Sequence, residues 1–371
     1  MHIEKLSLFG FKNYEEATLS FSEEVNCLVG ENGSGKTNLL DAIHYLSMTR
    51  SAFNPLDSQN VKFGQDFFSV KGDFKVAEKK LQVLCSYKEG TGKSFKVNKQ
   101  EYKKLSEHVG RLPLVLVAPN DVDIIRDGSE ARRKFFDAII SQTNEEYLND
   151  LIVYSKYLRQ RNGALKKFGF TGRTDYELLK IYDEQIIALS KRIGAKRQEF
   201  NSDFLKAFMH HYNELSERKE IVDIIYQSDV LSDDFEIQYR EALKKDLALE
   251  RTTMGVHKDD FKFTIEGKAL KKYGSQGQQK TFLVALKMGH FDIIKSIKEF
   301  NPILLLDDIF DKLDTRRIQH LMERVVNHDF GQVFITEARE ERTKAILNEL
   351  NIKAEFYKVE RGTVNYEGSN R

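Results

Sequence analysis

Three clusters of residues in this chain have the types and spacings that nucleoside triphosphate chemistry needs. The first is Gly30-Glu31-Asn32-Gly33-Ser34-Gly35-Lys36-Thr37, which fits G-x-x-x-x-G-K-[ST]. Glycines let successive backbone N–H groups converge on phosphate oxygens, and the helix that follows adds the partial positive charge of its N-terminus. Lys36 is placed to reach the β- and γ-phosphates of ATP, and the Thr37 hydroxyl to ligate Mg²⁺. The second cluster is Leu304-Leu305-Leu306-Asp307-Asp308, an apolar strand ending in two carboxylates. Asp307 is expected to hold the magnesium through its water shell, and Asp308 to act as general base on the attacking water. Aspartate reaches one methylene less far than glutamate, so slow hydrolysis is expected. The third cluster, Ser275-Gln276-Gly277-Gln278-Gln279, lies between a strand-like Phe261 to Ile265 and a long helical pattern, Lys280 to Ile297. A helix N-terminus suits an anion. A Ser-x-Gly-Gln stretch alone is more often a helix cap with a tight turn, and its place about 30 residues before the paired aspartates makes it specific.

These residues need a scaffold. Apolar runs at Val25–Val29, Leu112–Val117, Ile303–Leu306 and Gln332–Thr336 read as strands buried on both faces. Val25–Val29 leads into the glycine loop and a helix, Asn38 to Met48, leaves it. Ile3 to Gly10, Ala17 to Phe21, Phe67 to Phe74, Leu81 to Tyr87 and Lys93 to Asn98 read as further strands. The four prolines, Pro55, Pro113, Pro119 and Pro302, leave residues 120–301 free of a helix breaker. Within that stretch Glu145 to Leu165 predicts one helix. Tyr182, Ile186, Leu189, Ile193, Phe200, Phe204 and Phe208 predict its partner, with Thr174 and Glu177 as a capping box and a reversal at Gly169 to Gly172. The two helices form an antiparallel pair, either an extended arm of roughly 40 Å or a compact lobe. The expected architecture is an α/β P-loop ATPase head built from N- and C-terminal segments, 1–125 and 253–371, with a helical lobe, 126–252, inserted between them.

Composition sets the outer bounds. The 371 residues are 40% hydrophobic and 31% charged, with a net charge of +1. That balance gives no support for nucleic-acid binding by itself, so a DNA surface must be a local patch. The two cysteines, Cys27 and Cys85, lie in strand-like stretches and suit a reducing compartment. The N-terminus has no signal-peptide pattern, and no apolar run approaches the length of a membrane span. A cytoplasmic location without membrane partners is expected.

The order of these parts resembles the ABC-type ATPase heads of the SMC superfamily and, within it, the RecF family. The residues that carry the resemblance include Gly10-Phe11-Lys12-Asn13-Tyr14, Gly30 through Asn38, Arg111-Leu112-Pro113 through Pro119-Asn120-Asp121, and Arg132-Arg133-Lys134-Phe135-Phe136-Asp137. The most diagnostic are His257-Lys258-Asp259-Asp260, Ser275 through Thr281, and Leu306-Asp307-Asp308 with Leu313-Asp314. The resemblance spans nearly the whole chain, in order, and the insert of about 130 residues matches RecF rather than the long coiled coils of SMC proteins. It implies an ATP-induced homodimer that binds double-stranded DNA near gaps, helps load RecA recombinase with RecO and RecR partners, and is released by slow ATP hydrolysis. It places Asn32, Gly33, Ser34, Gly35, Lys36, Thr37 and Asn38 on ATP and magnesium, with Lys12 near the nucleotide. It places Ser275, Gly277, Gln278 and Gln279 on the γ-phosphate held by the other subunit, and Asp311 to Asp314 at the dimer interface. Asn120 and Asp121 stand where related ATPases carry a glutamine, and Thr336-Glu337 where transporters carry a histidine.

Candidate DNA contacts are the basic runs. Arg132, Arg133 and Lys134 form one; Lys156, Arg159, Arg161, Lys166, Lys167 and Arg173 another; Lys191, Arg192, Lys196 and Arg197 a third. Phosphate contacts need only such charges, although each run reads more readily as a solvated helix face, and Arg132 and Arg133 also as internal braces. His257 with Asp259 and Asp260 suggests a metal site, against which a structural turn is the expectation. The alternatives are another SMC-like ATPase, an ABC transporter subunit, or a scaffold that uses ATP only as glue. The large insert and the missing glutamine and histidine argue against the transporter. The absence of a second catalytic cluster after residue 340 argues against a fused nuclease, and the paired aspartates argue against the scaffold.

Overall fold

The computed structural model describes residues 1–217, 220–309, 318, 321–324 and 330–370. They pack as two units, Met1–Asp121 with Leu286–Arg371, and Val122–Ala285. In chain order the first unit begins with strands β1 (His2–Phe11), β2 (Tyr14–Ser20) and β3 (Val25–Val29) and helix α1 (Lys36–Met48). Strands β4 (Phe67–Val76), β5 (Lys79–Lys88), β6 (Gly92–Val97), β7 (Gln100–Glu101) and β8 (Leu114–Val117) follow. The second unit holds α2 (Asp123–Arg126), α3 (Ser129–Thr143), α4 (Glu145–Thr171), α5 (Tyr176–Ser216), β9 (Val222–Gln227), α6 (Phe235–Glu241), α7 (Leu243–Leu249), β10 (Asp260–Ile265), β11 (Lys268–Ala269) and α8 (Leu270–Tyr273). Helix α9 (Gln276–Lys298) starts in the second unit and ends in the first. The first unit closes with β12 (Ile303–Asp307), β13 (Val333–Glu337), α10 (Glu340–Glu349), β14 (Ala354–Glu360) and β15 (Thr363–Ser369).

The first unit has two six-stranded sheets. One, ordered β2-β1-β4-β5-β6-β7, is antiparallel throughout. The other, ordered β15-β14-β3-β13-β12-β8, is parallel except for its edge strand β15. Every residue of β3, β12 and β13 is buried, which is why these strands read as unbroken apolar runs rather than as alternation. Helix α1 is apolar on most of its circumference because both sheets cover it. Leu39, Leu40, Ile43 and Leu46 share one core with Leu6, Phe68 and Val83 of the antiparallel sheet and with Leu28, Leu305 and Phe334 of the parallel one. Strands β3, β12 and β13 all end at one edge of the parallel sheet, the side where open α/β sheets bind ligands.

In the second unit α4 and α5 are antiparallel. Arg192 pairs with Asp150 near the start of α4, Arg161 with Asp183 further along, and Leu165 and Phe168 pack with Leu179 at the far end. Gly172 closes α4 in the left-handed conformation, φ 66°, its N–H donating to Phe168 O at 2.8 Å. The cap of α5 is Asp175, not Thr174: its carboxylate accepts from Leu178 N at 3.0 Å. Both residue types cap well, and the helix starts one residue later than the Thr-x-x-Glu spacing suggested.

The inserted unit differs from the expected 126–252 helical lobe in two ways. It contains a three-stranded antiparallel sheet, β11-β10-β9, with Asp260 opposite Gln227 and Ile265 opposite Val222. It also extends to Ala285, because β10 can only be satisfied by β9 within this unit. The expected head segment 253–371 therefore loses residues 253–285 to the lobe. The helix pair is covered rather than bare: Arg161 of α4 reaches Asp246 and Thr252 from the segments packed over it. Among the described residues no helix is long and apolar enough to cross a membrane.

Candidate active site

The site is built on the ends of β3, β12 and β13. From β3 the chain turns through Gly30–Gly35 into α1. Gly35 has φ 120°, and a Cβ there would lie 2.5 Å from Asn13 Nδ2 and 2.7 Å from the Tyr14 hydroxyl, so only glycine fits. Asn32 and Gly33 form the open rim of the loop, whereas Ser34 and Lys36 are buried. Lys36 Nζ donates to Gly30 O at 2.7 Å and Glu31 O at 3.0 Å, curling back over the loop it follows. Burial holds its ammonium below the usual lysine range, and the carboxylates of Asp308, Asp307 and Glu337 pull it the other way. An incoming triphosphate would offer this buried cation stronger partners than two carbonyls.

Beside it, Thr37 Oγ1 donates to Asp307 at 2.9 and 3.1 Å from the two carboxylate oxygens. Burial holds the Asp307 carboxyl above the ordinary carboxylate range, and hydrogen bonds from Thr336 and Thr37 oppose that. A hydroxyl and a carboxylate converging at the foot of a phosphate cradle are the hard oxygen donors that Mg²⁺ selects. Asp308 follows in the left-handed region, φ 48°, a strained position for a non-glycine residue. Its Oδ1 is buried and carries no hydrogen bond from the described residues. That oxygen keeps its full capacity to accept a hydrogen bond.

Two residues given no role in advance hold the arrangement together. Thr336, at the end of β13, donates its hydroxyl to Asp307 Oδ1 at 2.7 Å and accepts from Asp308 N at 3.0 Å. One hydroxyl thus fixes both aspartates. Asn13, in the turn between β1 and β2, donates to Ser34 O at 2.9 Å and accepts from Asn38 Nδ2 at 2.8 Å. Asn13 rather than Lys12 touches the cradle. The Lys12 amine is tied to Asp41 at 2.6 Å, and Asp41 in turn holds Ser51 Oγ at 2.6 Å and Ala52 N at 2.7 Å. Both Asn13 and Thr336 lie within stretches the sequence singles out, but a short polar side chain at a strand end gives no sign of which backbone it will meet.

The other expected site residues separate into two groups. Ser275 and Gln278 form a reciprocal cap on α9: Ser275 Oγ accepts from Gln278 N at 3.2 Å and Gln278 Oε1 from Ser275 N at 2.7 Å. Gln278 Nε2 donates to Glu220 at 2.8 Å and Gln279 Nε2 to Gly274 O at 3.0 Å. Gln278, expected on a nucleotide, is thus committed within its own unit. Asp121 pairs with Lys287 at 2.6 Å and accepts from Ala118 N at 2.6 Å, a brace in place of a metal-sensing glutamine. Asp311 to Asp314 lie outside the described residues.

The basic candidates also divide. Arg132 grips Asp260 with two hydrogen bonds of 2.8 and 3.0 Å, and Arg133 donates to Asp259 O at 2.6 Å and Ser129 Oγ at 2.7 Å. Both brace β10 from α3, which corrects the expectation that they face DNA. Lys191, Arg192 and Lys196 each hold a carboxylate, and Arg197 is buried. Lys166 and Lys167 are exposed. His257 meets the Tyr154 hydroxyl at 2.6 Å and Thr252 O at 3.1 Å, while Asp259 holds Arg197 and Ser228, so this cluster is a structural turn rather than a metal site.

Comparison with known proteins agrees with this geometry. Residues 2–361 match the family described as RecF/RecN/SMC N terminal domain. The DNA replication and repair protein RecF of Flavobacterium johnsoniae is 45% identical over 94% of this chain and 97% of its own length. That of Cytophaga hutchinsonii is 44% identical over 98% and 96%. The solved recombination mediator protein RecF-ATP of the RecFOR pathway superposes with a TM-score of 0.88 at 30% identity, covering 98% of this chain and 97% of that one. An Smc head bound to the C-winged helix domain of ScpA shares the fold, with a TM-score of 0.57 at 16% identity over 100% and 97%. With relatives this similar along almost its full length, and with the phosphate loop and paired aspartates assembled at one sheet edge, the chain belongs to the RecF family of DNA replication and repair proteins, within the RecF/RecN/SMC group.

Proposed function

We propose that the protein is an ATP-gated DNA clamp of recombinational gap repair. Two copies close on ATP, bind double-stranded DNA, help load RecA with RecO and RecR partners, and part after slow ATP hydrolysis. The observation that carries the nucleotide half is the Thr37–Asp307–Thr336 chain of hydrogen bonds beside the buried, unengaged Oδ1 of Asp308. The DNA half and the RecO and RecR partners are supported by the relatives, which are replication and repair proteins, and by the RecFOR pathway of the matching structures.

In this reading Asn32, Gly33, Ser34, Gly35 and Lys36 hold the phosphates, and Asn38 and Asn13 keep the loop in shape. Thr37 and, through water, Asp307 would hold Mg²⁺, which neutralises phosphate charge when bound. Asp308 accepts the proton of the attacking water, in an enzyme that works as a weak ATPase switch. Ser275, Gly277 and Gln279 would complete the site of the second copy. They belong to the second unit, and the phosphate loop to the first. Dimerisation then depends on ATP by mass action. Lys166 and Lys167 belong to the DNA-facing surface.

The test is duplex DNA binding by the purified chain with ATP, ADP or no nucleotide, with mass followed by light scattering. ATP alone is expected to give both a dimer and tight duplex binding, and Lys36→Ala to lose both. A dimer without DNA affinity would sink the DNA half of the reading while leaving the ATP-driven dimer intact.

A further inference from the structure

Helix α5 ends in a group of side chains that the ATP site does not use. Its buried stripe runs through Phe204, Phe208, His211 and Leu215 at steps of four, three and four residues. Beside that stripe stand His210 and Glu214, four residues apart and so neighbours on the helix surface. The His211 side chain is 2% exposed, while those of His210 and Glu214 are open to solvent. The Glu214 carboxylate faces both rings: Oε1 lies 3.6 Å from His210 Nε2, and Oε2 lies 3.9 Å from His211 Nδ1. Among the described residues, the ligating atoms of these three side chains gather within 4.8 Å of one another.

The helix is well anchored at this point. The rings of Phe208 and Tyr212 lie 4.5 and 5.9 Å from that of Phe282 in α9. Glu217 closes α5 in the left-handed conformation, φ 56°, its N–H donating to Asn213 O. The three side chains therefore start from fixed backbone positions. Nitrogen and oxygen ligands about 2.0–2.2 Å from one ion sit roughly 3.4 Å apart in a tetrahedron. The observed spacings reach that with small torsional changes, which the exposed His210 side chain has room to make.

The donor set also selects a class of ion. Two imidazoles and a carboxylate suit Zn²⁺ and its first-row neighbours, whereas Mg²⁺ and Ca²⁺ take oxygen ligands. The hydroxyl and carboxylate of Thr37 and Asp307 are such oxygen ligands, so the two places differ in the metal they favour. Three protein ligands leave a fourth position for water, and the open side of His210 and Glu214 admits it.

We propose that His210, His211 and Glu214 form a site for a Zn²⁺-class ion at the end of α5, separate from the ATP site. Next to it in sequence, the Tyr212 hydroxyl donates to Glu220, and Glu220 accepts from Gln278 Nε2 at 2.8 Å. A bound ion stiffens the helix end on which the start of α9 rests. The test is calorimetric titration of the tag-free full chain with Zn²⁺, without nucleotide and in excess Mg²⁺ to fill sites built from oxygen. Absorption of bound Co²⁺ then reports nitrogen ligation. The wild type is expected to take up Zn²⁺ and to melt at a higher temperature with it. His210→Ala and Glu214→Gln are each expected to weaken that uptake by roughly tenfold or more, since even residues behind the ligands cost about 10–100-fold. Both positions are exposed, so the melting temperature of the metal-free variants is expected to stay near that of the wild type. A wild-type chain that takes up no Zn²⁺, or uptake that either variant retains in full, overturns the site. Neither result bears on the ATP-driven dimer or on duplex binding.

Discussion

Two buried cations of this protein, one in each unit, are held in opposite ways. In the lobe, Arg197 is 2% exposed and every polar direction is met: Asp137 at 2.9 and 3.0 Å, Asp259 at 2.8 Å and Val256 O at 2.8 Å. Arg161 is held by Asp183, Asp246 and Thr252, with its buried Nη2 left without an acceptor. The Arg197 network fixes where helices lie against one another and has nothing left to offer a ligand. In the head, Lys36 is just as buried but rests on two backbone carbonyls, and Asp308 keeps a buried oxygen without a hydrogen bond. The full pairing of Arg197 marks architecture, and the incomplete pairing of buried Lys36 beside Asp308, at the end of the strands that carry the phosphate loop, marks chemistry. The basic runs of the sequence looked alike because residue types do not reveal which kind of burial they will enter.

The contrast can be broken most sharply at Asp308. Asp308→Asn removes the proton acceptor and leaves a side chain of the same size. Turnover is expected to fall by roughly 10²–10⁴, the usual contribution of a general base, with ATP affinity and urea stability close to those of the wild type. Single-turnover hydrolysis and chemical denaturation together decide it. A variant that loses stability but keeps its turnover would place Asp308 with the architecture. The counterpart in the lobe is Arg197→Ala, which leaves the buried Asp259 and the half-buried Asp137 without their cation. Removing one partner of such a network costs about 3–5 kcal/mol. The expected result is a lobe that unfolds at much lower urea while the ATP affinity of the remaining folded chain changes little. A loss below about 1 kcal/mol would mean that the network is looser than its distances indicate.

How much of this was legible in advance follows the same division. The phosphate loop and the paired aspartates could be read because backbone convergence and metal chemistry demand particular residues at particular spacings. The buried strands that carry them could be read because strands covered on both faces are continuous apolar runs. The lobe's sheet could be read only at Phe261 to Ile265, in its central strand. Val222–Gln227 is short, carries Asp223 and Gln227, and becomes a strand only because β10 pairs with it across more than thirty residues of sequence. The braces were hidden for the same reason: nothing near Arg132 in sequence announces Asp260, and nothing near Lys12 announces Asp41. Thr336 was hidden because its role is set by β13 lying parallel to β12, with Thr336 opposite Asp307.

The smallest expected effect is a pH dependence of lobe stability centred on His257. The Thr252 carbonyl can only accept, so Nε2 of the imidazole carries the proton and Nδ1 accepts from the Tyr154 hydroxyl. Burial, above all, pushes this histidine down to about 4, from an ordinary value near 6.5. The unfolded chain therefore takes up a proton as pH falls through 6.5, and the folded lobe does not until about 4. Stability from this group is complete above pH 6.5 and declines as pH drops towards 4, where it levels off. The head has its own contributors, His108 pushed down to about 4 and His290 to about 3, both chiefly by burial, so the whole chain will weaken in acid. The lobe's share is separated by His257→Gln, which cannot titrate. Urea midpoints at pH 7.5 and 5 are expected to differ less in this variant than in the wild type. An identical acid loss in both proteins would show that the imidazole is already protonated in the fold, with the Tyr154 hydroxyl turned to accept from it.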